Sequence, residues 1–259
     1  MLLSYIWGIL GGLFLAEMVQ QDPTQSHPQD LDIYLVIGQS NMAGRAEITT
    51  ELQEPVEGVY LFTGMEDSLW IPAKNPLNLY STIRKEVEMQ RLGPAYNFVK
   101  TLRDYNPEKE IGLVVNAKGG TALSEWMPGT HFYQEAVSRV QTAAAHGTIR
   151  GVIWHQGESD LGKLDTYLPN LEILITQIRT DVGISDLPFV AGHIATDQPG
   201  REVFNKLIDK LPGQVPFTGV VHSRRTRTFD QVHFDAKSQL LMGKRYGKKL
   251  RKLLRKGKQ

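Results

Sequence analysis

The chain has 259 residues and a formal net charge of +1, and 41% of its residues are hydrophobic and 22% charged. This balance is ordinary for a globular protein and argues against a nucleic-acid-binding protein. The absence of cysteine excludes disulfides, thiolate zinc sites and a cysteine nucleophile. We therefore expect a globular chain with roughly 220 residues available for one α/β domain.

The N-terminal segment, residues 1 to 16, is almost wholly apolar but shorter than the ~20 residues of a membrane span. It is typical of a secretory signal peptide, although no Lys or Arg precedes it and Phe14-Leu15-Ala16 is a poor cleavage pattern. An uncleaved membrane anchor is the alternative. Residues 17 to 30 indicate a polar linker. We expect a secreted or periplasmic protein with a single domain over residues 31 to 259.

The first buried strand is predicted at Ile33 to Ile37, an apolar run rich in β-branched residues. Gly38 ends this run and Ser40 follows, so the Ser40 hydroxyl lies just past the carboxyl end of a strand. Open α/β sheets bind their ligands at this edge. Ser40 is therefore either the N-cap of the next helix or a nucleophile, and this stretch alone favours neither.

Strands and helices alternate along the rest of the chain. A strand at residues 58–62 is followed by loops, and a helix extends from Gly93-Pro94 to Asn106. Further strands are predicted at 111–115, 151–154, 187–192 and 217–221, with helices near 132–145, 167–178, 201–211 and at the C-terminus. This alternation predicts an α/β fold, a three-layer sandwich with a central parallel sheet flanked by helices.

Residues that could take part in catalysis follow three of these strands and occupy one C-terminal loop: Ser40, Gly119 with Gly120, Gln156 with Glu158, and Asp230 with His233. A serine hydroxyl needs an adjacent general base to act as a nucleophile, and histidine oriented by a carboxylate is such a base. The Ser40 N–H, a glycine N–H and the Gln156 amide are candidate donors to an oxyanion. The pattern predicts a serine hydrolase.

Four blocks in order resemble one known family: Gly38 to Gly44, Lys118 to Thr121 with Trp126, Trp154 to Asp160, and Asp230 to Phe234. Over residues 32 to 247 the chain resembles the sialate O-acetylesterase and carbohydrate esterase family six branch of the SGNH hydrolases, which includes acetylxylan esterases. The resemblance implies Ser40 as nucleophile, His233 as base, Asp230 as its acid partner and no cofactor. It also implies Gln156 in the oxyanion hole, where other SGNH enzymes have an Asn.

Several assignments within these blocks stay open. Glu158 is the alternative acid partner of His233, or a structural carboxylate held by backbone N–H groups or by Arg45. We favour Asp230 because its three-residue spacing guarantees that it lies near His233. Three residues are predicted to contact substrate, with core packing as the alternative for the two aromatic ones: Asn41, Trp126 (as a sugar platform) and His155.

No metal site is predicted, because no close pair of His and carboxylate lies on one helix face. His131, His193 and His222 are interpreted as structural histidines. The nine Lys and Arg residues from Lys244 to Lys258 are interpreted as the solvated side of an amphipathic helix, with weak contact to an anionic surface as the alternative.

We therefore expect a serine carbohydrate O-acetylesterase that removes acetyl groups from acetylated sugars or polysaccharides of the acetylxylan or sialic-acid type. Its partner is the acetylated carbohydrate, and no nucleic acid is expected. Two alternatives stay open: an esterase acting on short esters without a sugar, and a catalytically silent glycan-binding protein.

Overall fold

The computed structural model describes residues 28–257, so the predicted signal peptide or anchor and most of the linker lie outside the described residues. A sheet of seven strands forms the centre, in the order β3-β2-β4-β1-β5-β6-β7. The strands are β1 (Leu31–Gly38), β2 (Val59–Phe62), β3 (Trp70–Pro72), β4 (Ile111–Ala117), β5 (Gly147–His155), β6 (Phe189–Gly192) and β7 (Thr218–Val221). All neighbouring strands pair in parallel except β3, which pairs antiparallel with β2.

Helices cover both faces of the sheet. They are α1 (Ser40–Ala43), α2 (Ala95–Tyr105), α3 (His131–Ala143), α4 (Leu164–Val182), α5 (Arg201–Ile208), α6 (Leu211–Gln214) and α7 (Ala236–Lys256). Side chains of α2 and α7 pack on one face, and those of α3 to α6 pack on the other. The predicted three-layer α/β sandwich is confirmed. Within residues 28–257, no helix combines the length and the apolar character needed to cross a lipid bilayer.

The central strand β1 is covered on both faces, which explains its continuous run of apolar residues. Ile33, Leu35 and Ile37 point into the core shared with α3 to α6, whereas Tyr34 and Val36 point into the core shared with α2 and α7. Strands β4 and β5 pair with its two edges. A strand that is covered on both faces needs an apolar residue at nearly every position. The strand predicted here is confirmed.

Strand β3 corrects the prediction that only loops follow β2 and that the sheet is wholly parallel. Trp70 is 7% exposed, and its ring packs on Phe62 with 5.1 Å between ring centroids. Three residues are too few to show a strand period in the sequence. Pro72 suits this edge position because it has no N–H to donate to a further strand.

The C-terminal helix α7 docks through its apolar side, as its spacing predicts. Tyr246 and Leu250 are fully buried, and Leu253 and Leu254 are partly buried. Exposed lysines such as Lys252 lie on the other side of the helix. The helix is therefore amphipathic and packed on the domain, and its contact with an anionic surface stays a prediction.

The strand order creates a crevice at one edge of the sheet. After β1 the chain adds strands on one side as far as β4, and then it crosses to β5 on the other side of β1. The loops that leave β1, β4 and β5 diverge at such a switch point, and open α/β sheets bind ligands there. Ser40, Gly119 and Glu158 follow these three strands.

Candidate active site

Ser40 is the first residue of α1, directly after a sharp turn that ends β1. Gln39 is the N-cap residue, so the interpretation of Ser40 as a cap is wrong. Gly38 has a φ of +139°, and a Cβ at this position would lie 2.2 Å from the His155 carbonyl oxygen. Only glycine permits this approach of the turn to β5. Ser40 is 6% exposed, and it borders a cavity of about 350 Å³.

The glycine turn after β4 forms one wall of this cavity, with Gly119 and Gly120 both lining it. A Cβ on Gly119 would lie 3.3 Å from the Ser40 Cβ and 2.6 Å from the Arg45 Nη2. The backbone of the turn therefore lies against Ser40, and a side chain at position 119 would fit only if Ser40 and the flexible end of Arg45 shifted. The predicted proximity of the glycine pair to the serine is confirmed.

Asp230 and His233 form a hydrogen-bonded pair in the loop between β7 and α7. The Asp230 Oδ2 lies 2.6 Å from the His233 Nδ1, and its Oδ1 accepts from the backbone N–H groups of Val232 and His233 at 3.0 and 2.7 Å. An ionised carboxylate only accepts hydrogen bonds, so Nδ1 carries the imidazole proton and Nε2 keeps a lone pair. This is the tautomer that a base acting on a serine needs.

Electrostatics keep the Asp230 carboxyl ionised. Partial burial raises its pKa, but hydrogen bonds from the His233 side chain and from the N–H groups of His233 and Val232 outweigh this effect. The net result is a pKa below the usual range of an aspartate. Asp230 is therefore ionised at neutral pH, where His233 would act as a base with a carboxylate partner.

Asn41 connects the Ser40 turn to the loop that carries His233. Its Nδ2 donates to the Val232 carbonyl at 3.1 Å, and its Oδ1 accepts from the Phe234 N–H at 3.0 Å. The side chain thus binds the backbone on both sides of His233, which borders the same cavity as Ser40. Asn41 is 1% exposed. This burial corrects its predicted role from a substrate contact to a positioning residue.

Glu158 also borders the cavity, but its contacts differ from those of Asp230. Its Oε1 accepts from the Asn41 Nδ2 at 2.7 Å, and its Oε2 is buried without a hydrogen-bond partner among the described residues. Burial raises the pKa of Glu158, and the hydrogen bonds and nearby positive charges only partly oppose this rise. Of the two predicted acids, Asp230 is the one hydrogen-bonded to His233.

Gln156 and Trp126 support the glycine turn from below, and both are fully buried. The Gln156 Nε2 donates to the Thr121 carbonyl at 3.0 Å and to the Asp160 carboxylate. The Trp126 Nε1 donates to the Thr121 Oγ1 at 3.0 Å. Both amide hydrogens of Gln156 are thus used, and Trp126 does not line the cavity at Ser40. The structure therefore corrects the predicted role of Gln156 as an oxyanion donor and that of Trp126 as a sugar platform. Both residues instead hold the glycine turn in position through Thr121.

His155 lies in the core between β5 and α7. It is 1% exposed, and its Nδ1 donates to the Tyr246 hydroxyl at 2.9 Å. That hydroxyl in turn donates to the Trp154 carbonyl at 2.9 Å. Burial lowers the pKa of His155 to about 3, so the ring is neutral. The predicted substrate contact is corrected, and the packing alternative fits the structure.

Three cationic side chains at the cavity were not among the predicted site residues: Arg45, Lys85 and Arg201. Arg45 donates through Nη1 to the carbonyls of Gly44 and Met89 at 2.6 and 3.0 Å, so it does not hold Glu158 as one alternative proposed. Lys85 borders the same cavity near the glycine turn. The only sequence signal for Arg45 is that it follows the first motif directly. Lys85 lies among other charged residues at positions 84–91, and nothing in that sequence marks it as a cavity residue.

Three residues have donor atoms close enough to consider a metal ion: His193, Asp209 and His222. The Asp209 Oδ1 lies 2.8 Å from the His193 Nε2 and 3.7 Å from the His222 Nδ1. The positive charge of Arg224 acts on His193 and opposes a further cation. The three residues do not line the cavity at Ser40. Hydrogen bonding to Asp209 accounts for the buried position of His193.

Comparisons with known proteins agree with this geometry. Residues 30–252 match the family model described as "Carbohydrate esterase, sialic acid-specific acetylesterase". A relative from Arabidopsis thaliana, described as a probable carbohydrate esterase, is 30% identical over 182 residues, which are 63% of this chain and 69% of the relative.

Two solved structures share the fold. An X-ray structure of an Arabidopsis thaliana protein has a TM-score of 0.76 at 25% identity, and the superposition covers 85% of this chain and 97% of that protein's chain. A carbohydrate acetylesterase from Xanthomonas citri has a TM-score of 0.62 at 19% identity, and the superposition covers 83% of this chain and 55% of the acetylesterase chain. The family model spans nearly the whole described domain. The chain therefore belongs to the carbohydrate esterase family of sialic acid-specific acetylesterases and is a hydrolase acting on acetyl esters.

Proposed function

We propose that this protein is a serine carbohydrate O-acetylesterase in which Ser40 is the nucleophile, His233 the general base and Asp230 the acid that orients the base. The observation that carries the proposal is the cavity that Ser40 and His233 share. Asp230 fixes the required His233 tautomer through its contact with Nδ1 at 2.6 Å. The family match supports the acetyl ester as the bond that is cleaved.

In the first half-reaction, the Ser40 Oγ attacks the acetyl carbonyl carbon and the His233 Nε2 takes the hydroxyl proton. The N–H groups of Ser40 and of the glycine turn stabilise the oxyanion that forms. His233 then gives the proton to the departing sugar oxygen, and the acetyl group stays on Ser40. In the second half-reaction His233 activates a water that releases acetate, and the proton returns to Ser40.

The charge at the cavity favours an acetylated sugar that also carries a carboxylate, of the sialic-acid type, over neutral acetylxylan. Arg45, Lys85 and Arg201 border the cavity, and Glu158 is the single acidic residue of its lining. Like-signed charges around a cleft concentrate an oppositely charged substrate near it. We therefore place acidic acetylated sugars first among the substrates.

Replacing Ser40 tests the catalytic assignment. We expect Ser40→Ala to lower kcat/KM for p-nitrophenyl acetate by at least about 10³-fold, because the acetyl-enzyme is proposed to form on the Ser40 hydroxyl. Ser159→Ala is the matched control, since Ser159 is an exposed serine at the same cavity. Wild-type turnover by Ser40→Ala would remove the proposal.

A panel of esters separates the proposal from its alternatives. Acetate release is measured from O-acetylated sialic acid, acetylated xylan and glyceryl triacetate, and p-nitrophenyl acetate is compared with the butyrate. We expect the highest kcat/KM on the acidic sugar and a sharp fall from acetate to butyrate. Preference for glyceryl triacetate would favour a general esterase. Binding of acetylated sugar without acetate release would favour a silent glycan-binding protein.

A further inference from the structure

A second groove, of about 1220 Å³, opens on the His233 side of the cavity. Arg45, Met89 and His233 border both the groove and the cavity at Ser40, so the two spaces meet at the general base. Phe229 lines the groove. A substrate with its acetyl group at Ser40 therefore has space to extend past His233 along this groove.

Phe229 is unusually exposed for its size. At 57% exposure it is the most exposed large hydrophobic side chain among residues 28–257. Its ring stacks beside the His233 ring, with 5.9 Å between centroids and an angle of 25° between planes. Water contact of an apolar ring is unfavourable, and an exposed apolar surface in a groove is a common mark of a ligand site.

The backbone holds Phe229 in a fixed position. Its N–H donates to the His233 carbonyl at 3.1 Å, and the preceding Thr228 forms a β-bridge with Phe234. The Thr228 N–H also donates to the Asp197 carboxylate at 3.2 Å. The ring is therefore presented on a braced loop, and a ligand binds to it without paying to order that loop.

The surroundings of Phe229 are those of a binding surface with an apolar centre. Met89, which is 38% exposed, also borders the groove. Charged side chains of both signs complete the same lining, among them Arg225, Arg227, Lys237, Glu88 and Asp235. Apolar surface rimmed by polar side chains suits a ligand that presents both an apolar face and hydroxyl or carboxylate groups.

We propose that Phe229 is a sugar-binding platform, which stacks on the apolar face of a pyranose ring of the substrate while the acetyl group lies at Ser40. The C–H groups on that face carry partial positive charge and are attracted to the negative face of an aromatic ring. The proposal rests on the proposed function, because it requires a carbohydrate ester as substrate. Phe229 takes the role that the sequence assigned to Trp126.

The test compares Phe229→Ala with the wild type on O-acetylated sialic acid, which has a pyranose ring, and on glyceryl triacetate, which has none. We expect KM for the sugar ester to rise about fivefold while kcat on both esters stays within about twofold, because only the stacking contact is lost. Phe229→Trp retains the ring and keeps the wild-type KM. Phe217→Ala is the control, since Phe217 is an exposed phenylalanine that does not line the groove.

An unchanged KM for the sugar ester in Phe229→Ala overturns the platform. An equal loss on both esters also overturns it, because the ring would then act through His233. Acetate release by the wild type separates this result from failure of the proposed function. If the wild type cleaves glyceryl triacetate but no sugar ester, the proposed function fails and the platform fails with it.

Discussion

Two carboxylates lie close to His233, Glu158 in the cavity lining and Asp230 in the same loop as His233, and their surroundings give them different protonation behaviour. Asp230 accepts hydrogen bonds from the His233 ring and from two backbone N–H groups, which lower its pKa. Glu158 has one buried oxygen without a partner, and burial raises its pKa. An acid that orients an imidazole must be ionised and in contact with it. Only Asp230 combines both properties.

Neutralising each acid in turn separates their roles. We expect Asp230→Asn to lower kcat/KM for p-nitrophenyl acetate by roughly 10³- to 10⁴-fold, because an amide at this position favours the wrong His233 tautomer. Glu158→Gln keeps the acceptor for Asn41 and should cost less than about tenfold. The opposite ranking would make Glu158 the acid partner of His233.

The lowered pKa of Asp230 also predicts how stability varies with pH. A carboxyl whose pKa is lower in the folded protein stabilises the fold above its usual pKa, and this contribution is lost as the pH falls through the lowered value. The loss of unfolding free energy in Asp230→Asn should therefore be largest at neutral pH and shrink in acid. A loss that is the same at both pH values would contradict the shift.

The proposed reaction depends on two elements of the fold that lie far apart in the chain. Helix α1 carries Ser40, and the loop before α7 carries His233. Asn41 joins them through the Val232 carbonyl and the Phe234 N–H, and it also binds Glu158. Small displacements of reacting groups reduce rates steeply, so this connection bears on activity as well as stability.

Asn41→Ala tests this connection. It leaves one buried and two partly buried polar groups without their Asn41 partner, so we expect a loss of roughly 2–4 kcal/mol in the free energy of unfolding, measured by urea denaturation. We also expect kcat to fall by at least about tenfold. Asn97→Ala is the control, because Asn97 makes one hydrogen bond to the Leu240 carbonyl, away from the cavity. Wild-type kcat in folded Asn41→Ala would show that the connection is purely structural.

Most elements follow from local patterns in the sequence, and the exceptions have physical reasons. The apolar run of β1 and the helical spacing in α2 and α7 are enough to predict these elements. Each pattern arises because the element buries a whole face, which requires apolar residues at regular positions. Trp126 and His155 are different, because tryptophan and histidine occur both in cores and in clefts. Whether Trp126 faces the substrate or Thr121 depends on contacts between distant segments, which a linear pattern does not contain.

At the scale of the whole molecule, the sheet topology brings the site together. Strand β1 lies at the switch point, and residues that follow β1, β4 and β5 border one cavity there. The sequence alone places Ser40 and the glycine pair at this edge, because both follow predicted strands. His233 belongs to a loop before the last helix, so its arrival at the same cavity was predicted from chemistry and family resemblance rather than from strand order. Phe229 became apparent only in the assembled fold, and so did the position of Arg45 in the cavity lining.

Ser40 and His233, from the two ends of the domain, are proposed to act on one bond. Labelling with the organophosphate paraoxon, followed by peptide mass spectrometry, is a direct test of this pairing. We expect a single phosphorylated residue, Ser40, and labelling at least about 100-fold slower in His233→Ala, because the hydroxyl then lacks its base. A label on another residue, or an unchanged labelling rate without the imidazole, would rule the pairing out.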